Sequence, residues 1–277
     1  MPMPEDRYIK VGNINTRYWT SGEQGTPVVL IHGLGGSIEN WVKNIDVLGQ
    51  SHRVYALDLK GFGRTDKTPL LRDMDELTKF IGDFMAALNI DKASLIGNSL
   101  GGGLALSFAL QHPDKVEKLV LVDNAGMGPE VIADFRVISL PVIGELLYHP
   151  NRKAVAGLWG KIVFDASLVT DELVEQTYKL AVLPGAVKSM LSTLRAGIGI
   201  SGQSKSQRMR VTDKISALKA PTLIFWGKQD RIIPPAHADI AARMMPGARL
   251  HLFDNCGHMP QLEHPEKFNK LVLDFLA

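Results

Sequence analysis

The run Gly97-Asn98-Ser99-Leu100-Gly101 has the spacing G-x-S-x-G. A serine hydroxyl attacks an acyl carbon only if a base takes its proton, and the base needs an acid to orient it and stabilise its charged form. Candidates for both lie downstream. Asp230 closes Trp226-Gly227-Lys228-Gln229-Asp230, directly after an apolar run, and His258 closes Asn255-Cys256-Gly257-His258. The order along the chain is nucleophile, acid, base. Asp123, at the end of another apolar run, is an alternative acid. A tetrahedral intermediate also needs donors for its oxyanion. The amide of Leu100, after the serine, is one. Leu34, within His32-Gly33-Leu34-Gly35-Gly36, is the other. His32 is read as a brace for that loop, not as a second base.

These residues need a scaffold that brings them to one edge. Ala93 to Ile96 reads as a buried strand before the serine, and Gly102 to Leu110 as a helix after it. A sharp bend between the two lifts the hydroxyl clear of the sheet, with glycines where side chains would collide. Pro27 to Ile31, Arg53 to Leu57, Lys118 to Val122, Pro221 to Trp226 and Arg249 to Phe253 read as further strands. Tyr8 to Val11 and Thr16 to Trp19 predict a hairpin turning near Gly12-Asn13. Glu39 to Leu48, Asp73 to Leu88 and Pro265 to Leu276 read as helices. Strand–helix alternation of this kind predicts a mostly parallel sheet covered on both faces. The rhythm breaks between residues 126 and 213, where helical stretches such as Glu172 to Leu183 and Ala186 to Leu194 dominate. The expected organisation is a core of residues 1–125 and 214–277 with a helical cap, 126–213, over the site.

Composition narrows the function. Of 277 residues, 45% are hydrophobic and 22% charged, with a formal net charge of +2, which describes a globular protein without a nucleic-acid surface. A single cysteine, Cys256, excludes an intramolecular disulfide. Neither a signal-peptide core between Met1 and Lys10 nor a transmembrane run of ~18 apolar residues is present. The expectation is a cytoplasmic protein that engages neither membrane nor nucleic acid. The triad calls for no metal and no cofactor. The sequence carries no mark of oligomeric state.

Together these motifs resemble the α/β-hydrolase superfamily. Asp58-Leu59-Lys60-Gly61-Phe62-Gly63-Arg64-Thr65-Asp66 is a further matching segment. The resemblance implies an α/β-hydrolase fold: a mostly parallel eight-stranded sheet flanked by helices, with a helical lid after the sixth strand. It implies Ser99 as nucleophile, Asp230 as acid, His258 as base, and Leu34 and Leu100 as oxyanion donors. Serine at the elbow separates the chain from the epoxide hydrolases and dehalogenases of the superfamily, which carry aspartate there.

Two kinds of serine hydrolase compete. Asn98 and the segment Cys256 to Pro265 are similar to carbon–carbon hydrolases of aromatic ring-cleavage products. Those enzymes usually carry tryptophan after the catalytic histidine, where this chain has Met259, and a cap arginine for the substrate carboxylate, where it has Thr177. The early loop also lacks their proline. A lost charge-assisted contact weakens dienoate binding by roughly 1.5–3 kcal/mol, unless Arg152 or Arg195 replaces it. The expectation drawn from these departures is a carboxylesterase acting on short to medium acyl esters, with Gly33, Asn98 and Met259 at the substrate. A carbon–carbon hydrolase and a non-catalytic binding protein are the alternatives. Trp41, Trp159 and Phe62 are read as core residues, with a place in the pocket wall as the alternative.

Overall fold

The computed structural model describes residues 3–67 and 73–277. Met1 and Pro2, which open the polar N-terminal stretch, lie outside them. Eight strands form one sheet: β1 (Arg7–Val11), β2 (Ile14–Ser21), β3 (Pro27–Ile31), β4 (Arg53–Leu57), β5 (Ala93–Asn98), β6 (Val116–Val122), β9 (Thr222–Gly227) and β10 (Arg249–Phe253). A separate two-stranded hairpin, β7 (Ile198–Gly199) with β8 (Gly202–Gln203), lies between β6 and β9. Sheet order is β1-β2-β4-β3-β5-β6-β9-β10. β2 runs antiparallel to β1 and β4, and every other pairing is parallel.

The apolar strands are continuous because helices cover both faces of the sheet. β5 and β9 are buried at every position. On one face, the helix Asp75–Ala87 brings Leu77, Phe80, Ile81 and Phe84 against Leu95 and Leu121. On the other, Ile96, Val120 and Phe225 meet Trp41 and, from the closing helix Pro265–Leu276, Phe268. Each such large side chain contributes roughly 1.5–3 kcal/mol by leaving water.

Register sets where the loops emerge. Ile31 pairs with Gly97, Asn98 with Val122, Val122 with Phe225, and Gly227 with Phe253. Parallel strands that end level deliver their following loops to one edge.

One helix differs from expectation. In place of a single helix from Glu39 to Leu48 there is a 3-10 turn, Ile38–Trp41, and a short helix, Ile45–Gly49. Asn44 sits at the break. Its buried amide nitrogen donates to the Gln261 carbonyl (3.1 Å) and to Asn269 Oδ1 (2.8 Å). Those long-range bonds hold the break where apolar spacing alone suggests continuity.

Between β6 and β9 the chain is mainly helical: Ala133–Ile138, Ile143–Leu147, Arg152–Ile162, Asp171–Ala181, Ala186–Gly197 and Lys205–Thr212. The β7–β8 hairpin here has no counterpart in the sequence reading, since two-residue strands leave no periodicity to detect. No helix among the described residues is long and apolar enough to cross a membrane.

Candidate active site

Ser99 occupies the bend between β5 and the helix Leu100–Gln111, with φ 56° and ψ −119°. This is strained backbone for a residue with a Cβ. Close packing holds it: the Ser99 N–H donates to the Val122 carbonyl (2.8 Å), and its carbonyl accepts from Gly103 (3.1 Å) and Ala125 (3.0 Å). The flanking glycines are sterically required. A Cβ on Gly97 would lie 2.3 Å from the Gly101 carbonyl oxygen, and one on Gly101 would lie 2.3 Å from that of Ile31.

His258 follows β10 and Asp230 follows β9, and the two side chains meet. His258 Nδ1 lies 2.7 Å from Asp230 Oδ2. Asp230 Oδ1 accepts from the amides of Ile232 (2.7 Å) and Ile233 (3.1 Å), so that carboxylate is held at both ends. With Nδ1 donating to an acceptor-only group, the proton of the neutral ring belongs on Nδ1. Nε2 is then a free lone pair, buried without a partner, in a ring that lines the same cavity as Ser99.

Donors for an oxyanion stand nearby. Leu100 opens its helix, so its amide has no place in the helical ladder. Leu34 adjoins the same cavity, and its amide meets no acceptor among the described residues. His32 braces this loop. Its Nε2 accepts from the Leu59 amide (3.0 Å) while Nδ1 donates to the Gly33 carbonyl (2.7 Å). Burial lowers its pKa to about 4, so the ring is neutral, and with both nitrogens engaged it has no free lone pair to serve as a second base.

Asp58 supports the loop from below. It accepts from the amides of Ile38 and Arg64 (both 2.8 Å), and Arg17 pairs with it at 3.3 Å. Glu39 binds the same buried guanidinium at 2.8 Å. Burial pushes Asp58 up to about 6 despite Arg17.

Glu263 has a position that the sequence reading did not assign. Its carboxylate accepts from the amides of Gly257 (2.9 Å) and Met259 (3.2 Å), on either side of His258, and from that of Phe164 (2.7 Å) in the segment over the site. The His258 amide donates to the Ile162 carbonyl at 2.7 Å. Nothing in the spacing of Glu263 shows that its carboxylate folds back. Asn98 also belongs to this support, since its amide nitrogen donates to the His258 carbonyl at 3.0 Å.

The cavity over Ser99 measures about 160 Å³. Gly33, Leu34, Asn98, His258 and Met259 line it from the core, and Tyr148, Trp159 and Thr177 from above. A second lobe of about 70 Å³, apolar through Leu100, Val131 and Leu194, meets it at Ser99, and Leu34, Phe135 and Ile232 face both. Of the three aromatics in question, Trp159 lines the cavity, whereas Trp41 and Phe62 lie in the core. Thr177 Oγ1 accepts from the Trp159 indole at 3.0 Å. Neither Arg152 nor Arg195 takes the position open at Thr177. Arg152 chelates Glu175 at 2.6 and 3.1 Å, and Arg195 binds Glu145 at 2.6 Å. No Lys or Arg among the described residues lines either lobe.

A strained serine and an imidazole with a free lone pair line one cavity at a sheet edge that also carries unpaired amides, the arrangement expected of a hydrolase. The chain belongs to the alpha/beta hydrolase fold family, whose model matches residues 26–265. It is 33% identical over 264 residues to a 2-hydroxy-6-oxo-6-phenylhexa-2,4-dienoate hydrolase of Burkholderia cepacia, covering 92% of this chain and 88% of that enzyme. It is 34% identical over 281 residues to a 2-hydroxymuconate semialdehyde hydrolase of Pseudomonas sp. (strain CF600), covering 98% and 93%. Among solved structures, a mutant of the meta-cleavage product hydrolase from Pseudomonas fluorescens IP01, complexed with acetates, superimposes with a TM-score of 0.85 at 32% identity, covering 97% of this chain and 96% of that one.

These similarities overturn the expectation of a carboxylesterase drawn from Met259 and Thr177. The two departures are real, but each is a single side chain at the wall of the cavity. Elbow and triad chemistry are common to ester and carbon–carbon cleavage, so neither substitution decides which bond breaks.

Proposed function

We propose that this chain hydrolyses a carbon–carbon bond in 2-hydroxy-6-oxo-dienoates, the class of ring-cleavage products on which its relatives are named to act. The carrying observation is similarity along nearly the whole chain, 92% and 98% of it, to two enzymes so named. The two lobes meeting at Ser99 add support, because such a substrate has two unlike arms flanking the carbonyl under attack.

In this reading residues 126–213 act as the cap, and Ser99, His258 and Asp230 form the relay. A carbon–carbon bond breaks heterolytically only if the departing carbon can hold the electron pair. Moving the 2-hydroxyl proton to C5 creates an enone into which that pair delocalises. Ser99 Oγ adds to the C6 carbonyl and passes its proton to His258. Asp230 stabilises the imidazolium, and the amides of Leu34 and Leu100 receive the oxyanion. Collapse breaks C5–C6 and sends the pair into the dienolate. His258 returns a proton, and a 2-hydroxydienoate leaves. Water then adds to the acyl-serine, losing its proton to His258, and a carboxylic acid is released.

No described cation lines the lobes, so the substrate carboxylate meets neutral donors. Tyr148 is one candidate, its hydroxyl pushed up to about 12 by burial. The reading is tested by incubation with 2-hydroxy-6-oxo-6-phenylhexa-2,4-dienoate and 2-hydroxymuconate semialdehyde. Loss of dienoate absorbance should accompany a carboxylic acid carrying one oxygen from labelled water. Failure to turn over either compound sinks the reading.

A further inference from the structure

Asp123 has no step assigned to it in the reaction above. It follows the last residue of β6 with φ 45°, and its amide donates to the Phe225 carbonyl at 3.0 Å. Its side chain is fully buried. Oδ1 accepts from the Gly227 amide at 2.9 Å, while Oδ2 is sealed from solvent with no donor. One carboxyl oxygen of Asp123, one of Asp230 and a ring nitrogen of His258 lie within 4.8 Å of one another.

The titratable groups that bear on Asp123 are Asp230, after β9, and His258, Cys256 and Glu263, after β10. Two of these are acids. Cys256 is a buried thiol held protonated by burial and by its acidic neighbours. Two carboxylates side by side in a dry site repel, and one imidazole offsets one of them. Burial first, and then the charge on Asp230, hold the Asp123 carboxyl well above the usual carboxylate range. An ionised carboxylate only accepts, which would leave Oδ2 an orphan. A protonated one donates, and the adjacent acceptor is Asp230.

We propose that Asp123 is a positioning residue: a neutral acid that donates a hydrogen bond to Asp230, so that two buried acids present one negative charge to His258. The bond adds to those Asp230 already accepts from Ile232, Ile233 and His258. It fixes the carboxylate and withdraws charge from it, which tempers the charge that Asp230 presents to the His258 ring. This inference rests on the Ser99–His258–Asp230 part of the proposed function and not on the dienoate substrate.

The test follows the rate of Ser99 phosphonylation by a fluorophosphonate against pH, which needs no knowledge of the substrate. An enzyme that is labelled at Ser99 but inert on dienoates would refute the substrate reading and leave this one standing. In Asp123→Asn the amide can still accept from Gly227 and donate to Asp230, so labelling should stay within about threefold of wild type with an unmoved acidic limb. In Asp123→Ala the donor is gone, and the acidic limb should move up by about one pH unit. Infrared spectra of the wild type at neutral pH should show a protonated carboxyl band that Asp123→Asn lacks, a readout that holds even if the alanine variant fails to fold. The proposal is overturned if the band is missing, or if Asp123→Asn moves the limb downward, as loss of a charge would. Loss of wild-type labelling on chelation, restored by a divalent cation, also overturns it, because the three groups would then be holding an ion.

Discussion

The sheet edge and the helical segment above it position their side chains by different means. At the edge, ladder hydrogen bonds fix the strands to within a residue of one another, and every reactive group stands one to five residues beyond a strand end. The helical segment has no comparable ladder. Of eleven exposed large apolar side chains among the described residues, nine lie between Val137 and Met209, so this region is less completely packed than the sheet. Of its arginines, Arg152 and Arg195 serve surface ion pairs with Glu175 and Glu145. The candidate groups are therefore held by the sheet, and the upper wall of the cavity comes from the less completely packed segment. The two are joined where Glu263 and the Ile162 carbonyl hold the loop of His258.

The sharpest way to break this contrast is Ser99→Ala. Turnover of a dienoate should fall by about 10⁶-fold while thermal unfolding stays unchanged. Comparable residual kcat would move the nucleophile elsewhere. Asp230→Asn should cost about 10⁴-fold in kcat, because the ring loses the partner that sets its tautomer. A mild effect there would assign the acid's role to another group. Glu263→Gln tests the joint between the regions. It leaves one acceptor oxygen for several donors, and kcat should fall by about tenfold with a lower Tm. If kcat holds, the His258 loop is placed without it.

Thr177→Arg tests whether the upper region sets selectivity. Supplying a cation at the cavity wall should raise kcat/KM on a dienoate by about tenfold, mainly through KM. No gain would mean that the carboxylate lies away from Thr177.

The smallest effect is on stability. The folded chain holds His32 neutral down to about 4, while the unfolded chain takes up a proton near 6.5. Its contribution is complete above 6.5, declines as pH falls and flattens below about 4. His32→Gln should reduce this loss of Tm on acidification. An unchanged slope would remove His32 as its source.

Much of the edge was legible in the sequence because it is local. The bend at Ser99 needs small neighbours at fixed offsets, and glycine types at Gly97 and Gly101 record that need directly. Apolar runs such as Val28 to Ile31 record burial on both faces in the same way. The placement of Asp230 and His258 at one edge was legible from the apolar runs before them. Glu263 was not, because its carboxylate reaches back to amides on both sides of His258 only once the chain has turned. The break at Asn44 and the pairing of Arg17 with Asp58 likewise depend on partners far away in the chain.

The sequence by itself determined the parallel sheet, the elbow and the order Ser99, Asp230, His258, because turn geometry and strand burial act through neighbouring residues. Only the tertiary structure decided which side chains wall the cavity, that Arg152 and Arg195 pair with Glu175 and Glu145 instead of lining it, and that Asp123 lies close to Asp230. Those outcomes depend on distances between segments far apart in the chain, and residue types alone do not encode them.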